Sequence, residues 1–186
     1  MVDRQNTPID RLLSLVFGLL RMPPGLRRIS IAFAYGLMCH VVFVLAVGAM
    51  ILAMFFGMSE SLGRVPEPWT YLANGFLVLQ FPLMHSLLLS ERGSKMLNWF
   101  APADYARTLS TTTYAMIASF QLLALFALWT PSGVVWWRAE GAIFNVIFAL
   151  YAVSWLLLIK ASYDAGTEVQ SGALGWMSLA QDKKPV

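Results

Sequence analysis

Apolar runs of about 20 residues or more recur along this 186-residue chain, and that is the length needed to cross a hydrocarbon core of ~30 Å. A folded soluble domain cannot hide so much continuous apolar surface. Charged residues make up only 12% of the chain, against about a quarter in a soluble domain. The runs predict an all-α polytopic membrane protein with four transmembrane helices. The expected spans are residues 29–58, 69–90, 109–130 and 141–159.

The segments between the runs fit that scheme. Residues 1–28 form a lead-in, with Leu12, Leu13, Val16, Leu19 and Leu20 at helical spacing between Arg11 and Arg21. This predicts an amphipathic interfacial helix, stopped by Pro23-Pro24-Gly25. A signal peptide is the competing reading; it lacks a small-residue cleavage site, and a true span follows at once. A second interfacial helix is expected within Glu91–Arg107, ending at Pro102, because Met96, Leu97, Trp99 and Phe100 alternate with Arg92, Lys95 and Asn98. Residues 160–186 are polar and glycine-containing, and are expected to be a cytoplasmic tail.

Orientation follows from Lys and Arg. With both termini in the cytoplasm, that side holds Arg4, Arg11, Arg21, Arg27, Arg28, Arg92, Lys95, Arg107, Lys160, Lys183 and Lys184. The outer side holds only Arg64 and Arg138. This positive-inside bias predicts a multi-pass membrane protein, N-in and C-in. The implied partner is the lipid bilayer. A net charge of +3, spread over loop ends, gives no basis for binding nucleic acid. The one cysteine, Cys39, lies inside an apolar run and forms no intrachain disulfide. Two histidines and one cysteine are too few for a Cys/His metal cluster, and no phosphate loop or nucleophile triad is present, so no metal site is expected.

Polar residues inside spans carry the functional signal, because burying them in hydrocarbon is costly. Asn74, Gln80 and His85 lie in the second span, Gln121 in the third and Asn145 in the fourth. Gln80 and His85 are five residues apart, about 140° around a helix, so they do not share one narrow stripe. His40 and His85 fall in the same half of the membrane with a depth difference of roughly 8 Å. They are candidate ligands of a b-type haem; a magnesium pigment needs only one of them. The plainer alternative is that each hydrogen-bonds within the bundle. Arg92 and Arg107 belong to a charged cluster at the cytoplasmic interface. That cluster suits the rim of an anionic-cofactor site or ordinary headgroup contact.

One ordered series has a counterpart elsewhere. His85-Ser86, Glu91-Arg92, Lys95, Trp99, Pro102, Arg107, Thr113-Tyr114, Leu128-Trp129-Thr130-Pro131 and Val134-Val135-Trp136 follow one another. Over about residues 75–137 this resembles the N-terminal half of bacterial membrane methyltransferases of the isoprenylcysteine carboxyl methyltransferase-like group. Methanethiol S-methyltransferase and the NnrU-type denitrification proteins are relatives of that group. The resemblance implies S-adenosylmethionine-dependent methylation of a small thiol or lipophilic acceptor, with His85 and Ser86 on the substrate side and Arg92 and Arg107 at the cofactor rim. The group's cofactor site lies mainly in a C-terminal portion with an Arg-His-Pro-x-Tyr-like turn and a paired-Glu helix. No His follows His85, and no Glu-Glu pair occurs. The ending at Gln181–Val186 reads as cut short, so the cofactor half is expected outside these residues; a shortened, non-catalytic relative is the other explanation. As an alternative function, the 13% aromatic content and the Ala32-x-x-x-Gly36 face suit a transmembrane subunit packed against other subunits of an electron-transfer or pigment complex.

Overall fold

A computed structural model describes residues 7–184. Arg4, the rest of 1–6, and residues 185–186 lie outside the described residues. Those described form an all-helical, multi-pass membrane fold. The helices are α1 (Pro8–Gly18, followed by a 3₁₀ turn Leu19–Arg21), α2 (Leu26–Phe55), α3 (Trp69–Leu89) and α4 (Glu91–Leu97, with a 3₁₀ turn Asn98–Phe100). α5 (Ser110–Leu128), α6 (Gly141–Asp164), α7 (Thr167–Gln170) and α8 (Ala173–Ala180) complete the chain. α2, α3, α5 and α6 are each long and apolar enough to cross a membrane.

Local chemistry sets the boundaries. Thr7 and Asp10 close a reciprocal capping box on α1, with Pro8 at the first helical position. α2 ends three residues before the expected Met58. Gly57 (φ 61°) takes the left-handed conformation there. Its N–H donates to the Met54 carbonyl at 3.1 Å, and the Met58 N–H donates to the Ala53 carbonyl at 2.7 Å. That is a Schellman termination. α3 continues through Pro82 to Leu89. Ser90 ends it and caps α4, its Oγ accepting from the Gly93 N–H at 3.2 Å. The second interfacial helix is shorter than expected. It ends by Phe100, because Ala101 is extended ahead of Pro102.

α5 is the central strut. It packs on α2, on α3 and on α8. α6 has no buried residue. It meets α2 through the Tyr151 hydroxyl, which donates to the Ile51 carbonyl at 2.7 Å, and through Phe55 against Phe148 and Tyr151.

The polar tail expected over 160–186 is corrected by the structure. α6 runs on to Asp164. α7 and α8 then fold back against α1, α2 and α5, and Ala173, Gly175, Trp176, Ser178, Leu179 and Ala180 are buried. Ala32, Leu109, Trp176, Leu179 and Ala180 form one core cluster. Thr112 pins the segment. Its hydroxyl donates to the Gly172 carbonyl at 2.6 Å and accepts from the Trp176 N–H at 2.9 Å. Gly172 has no room for a side chain: a Cβ there would lie 2.8 Å from the Ala115 methyl and 2.9 Å from Cys39 Sγ. Gly172 and Gly175 are places of close helix approach.

Candidate functional site

The seam between α3 and α5 holds three polar pairs. At one end, the Asn74 amide donates to the Thr130 carbonyl at 2.8 Å, and the Thr130 N–H donates to Asn74 Oδ1 at 3.0 Å. In the middle, Gln80 Nε2 donates to the Gln121 carbonyl at 3.0 Å. Gln121 Nε2 donates back to Gln80 Oε1 at 2.7 Å. At the other end, the Tyr114 hydroxyl lies 2.7 Å from His85 Nδ1 and 3.0 Å from Nε2. Successive pairs are six and five residues apart along α3, about 9 and 8 Å.

Each member satisfies a group that hydrocarbon would otherwise leave unpaired. Removing either glutamine side chain is expected to cost about 1 kcal/mol, and a double-mutant cycle of Gln80→Ala and Gln121→Ala to give a coupling near 0.6 kcal/mol. Unfolding in mixed detergent micelles measures it. Zero coupling contradicts the pairing.

His85 carries the one imidazole of the seam. It is half-buried, with Phe81 at 5.5 Å and the Tyr114 ring at 5.3 Å between centroids. A neutral imidazole carries one acceptor nitrogen and one N–H, and the phenol can donate or accept. The pair can therefore take a proton from a small guest and return it. His85 sits four residues before the end of α3, and Tyr114 four residues after the start of α5. The site is thus close to one end of the bundle, where α1, α4, α7 and α8 also lie.

The other expected site residues are placed differently. Ser86 is exposed beside His85, and its hydroxyl makes no hydrogen bond among the described residues. Arg92 and Arg107 are exposed. They line neither the cavity of about 810 Å³ at the opposite end nor the one of about 380 Å³ beside α1. His40 donates from Nδ1 to the Gly36 carbonyl at 2.9 Å, since a carbonyl only accepts, and its ring stands edge-on to Trp176 at 5.9 Å. His40 thus pairs with its own helix, whereas His85 pairs across the seam with Tyr114.

Sequence reasoning missed Tyr114 as a partner, and it missed Arg28. The latter is 7% exposed inside the membrane protein's end layer. Its guanidinium donates to the carbonyls of Leu179 (2.6 Å), Ala180 and Pro23 (2.7 Å). It caps the C-terminus of α8, where a cation also complements the helix dipole. A usable signal for the seam was depth: counted from the shared end, Gln80 is nine residues in and Gln121 eleven.

No family model matches the chain, and no curated protein or solved structure matches it.

Proposed function

We propose that this protein is the acceptor-side membrane portion of an S-adenosylmethionine-dependent methyltransferase acting on a small, lipid-soluble thiol. The observation that carries the reading is the His85–Tyr114 hydrogen bond. It joins two residues, 29 positions apart, that belong to one ordered pattern resembling the methyltransferase group. The excess of Lys and Arg at this end supports an orientation with both termini in the cytoplasm of a bacterial inner membrane. His85 then lies in the cytoplasmic half of the bilayer, within reach of a thiol that partitions into lipid.

The chemistry assigned to this chain stays on the acceptor. The imidazole of His85 accepts the thiol proton, so an S–H bond breaks and an N–H bond forms, leaving the thiolate that is the nucleophile. Tyr114 holds the ring in place and hydrogen-bonds the neutral form. Excluding water in the seam favours the transfer by positioning. The bound cofactor would supply the methyl group.

The test is methyl transfer by membranes carrying the protein expressed from its complete reading frame. Labelled S-adenosylmethionine and a small lipophilic thiol are expected to give a labelled thioether. No label above vector-only membranes, with the protein present, overturns the reading. A second reading, a non-catalytic transmembrane subunit, draws support from α6, which has no buried residue and leaves a full span for another subunit to cover. That reading expects silence in the same assay and cross-linking from α6 to another membrane protein.

A further inference from the structure

The cavity of about 810 Å³ lies at the end of the bundle opposite His85, and the methyl-transfer reading makes no use of it. One wall is α3 from Thr70 to Leu79; the other is the stretch Trp129–Trp136, with Arg138 and the residues after α2. Nine residue steps along α3 span about 14 Å, close to half of a ~30 Å hydrocarbon core. The cavity therefore starts at headgroup level and reaches toward the bilayer centre.

Its composition changes along that depth. Tyr71 and Trp136, which are 74% and 93% exposed, mark the interfacial level where amphipathic rings settle. At this level the lining carries Glu60, Glu67 and Arg138. None of the three is in an ion pair among the described residues. The remaining cation of this end, Arg64, donates to the Ser61 and Gly63 carbonyls. Deeper, the wall is Val78 and Leu79, both exposed. The Asn74–Thr130 pair between the two levels is already satisfied, so it offers no reactive group.

We propose that this cavity is a binding site for a zwitterionic phospholipid with a primary-amine headgroup. The ammonium is drawn to Glu60 and Glu67, the phosphate to Arg138, and an acyl chain runs down Val78 and Leu79. Two carboxylates against one guanidinium select against an anionic headgroup. An amphiphile of that length is matched by the shift from charged to apolar lining; a soluble amine would leave the deep wall uncovered.

The test is native mass spectrometry of the whole protein released from vesicles of equal phosphatidylethanolamine and phosphatidylglycerol. Phosphatidylethanolamine is expected to be enriched about threefold among retained lipids, the scale of one exposed charge pair. The double variant E60Q/E67Q is expected to remove the enrichment. Both side chains are exposed and unpaired, so the variant keeps the fold, which circular dichroism checks. Retention of phosphatidylglycerol at or above its bulk share overturns the proposal, as does an enrichment unchanged in E60Q/E67Q.

Discussion

Replacing His85 with alanine is expected to lower methyl transfer to a thiol acceptor by about a hundredfold or more, the usual worth of a positioned acid–base group. The same change is expected to cost only about 1 kcal/mol of stability, the worth of one interhelical hydrogen bond in a membrane bundle. That asymmetry separates a reactive residue from a packing residue. Tyr114→Phe keeps the tilted ring beside His85 and removes only the hydroxyl, so a smaller loss of about tenfold is expected. Unchanged activity in His85→Ala, with the protein intact in the membrane, contradicts the assignment.

The largest structural effect is expected at Arg28. Arg28→Met preserves much of the side-chain volume but withdraws the donors serving the carbonyls of Leu179, Ala180 and Pro23. The Leu179 carbonyl keeps the Asp182 N–H at 3.1 Å, so the loss falls on the Ala180 and Pro23 carbonyls; at roughly 1–3 kcal/mol for each acceptor left unpaired, about 3 kcal/mol in the docking of α8 is expected. Arg28→Lys is expected to restore only part of it, because one ammonium cannot reproduce the fork of the guanidinium. The chain carries its own reporter. Cys39 is 0% exposed, and its thiol faces the Ser171 and Thr112 carbonyls at 3.4 and 3.6 Å. Undocking the segment that contains α7 and α8 uncovers it. Labelling by a small membrane-permeant maleimide is expected to run about a hundredfold faster in Arg28→Met, as local opening becomes more populated. An unchanged labelling rate contradicts the capping role.

The spans were legible because their signal is local. Apolar length and interfacial aromatics place α2, α3, α5 and α6 within a few residues. The misses at their ends trace to particular backbone devices, such as the left-handed Gly57 after α2. The closing segment was not legible. Gly172 and Gly175 look like loop residues in a sequence, yet a Cβ on Gly175 would fall 2.6 Å from Thr112 Oγ1. Close packing between distant helices carries no local period.

The site divides the same way. His85 announced itself through the cost of an imidazole in hydrocarbon. Its partner depended on which helices meet, and α5 packs on both α2 and α3, so the two histidines were free to find different neighbours. Gln80 and His85 both meet α5, although they stand about 140° apart on an ideal helix. Asn74 and His85, eleven residues apart, fall within about 20° of each other on an ideal helix. Gln80 reaches α5 from the side, by a long chain whose amide meets the Gln121 carbonyl at 3.0 Å.

The central claim is that an acceptor thiol binds at the α3–α5 seam beside His85 and Tyr114. Photolabelling tests it most directly. A lipophilic thiol carrying a diazirine is irradiated with the protein in native membranes, and the labelled residues are located by mass spectrometry. The account predicts label concentrated within residues 81–89 and 110–118, and lost when excess unlabelled thiol is present. Label spread evenly over the lipid-facing spans, or concentrated on α6 and indifferent to competing thiol, contradicts it.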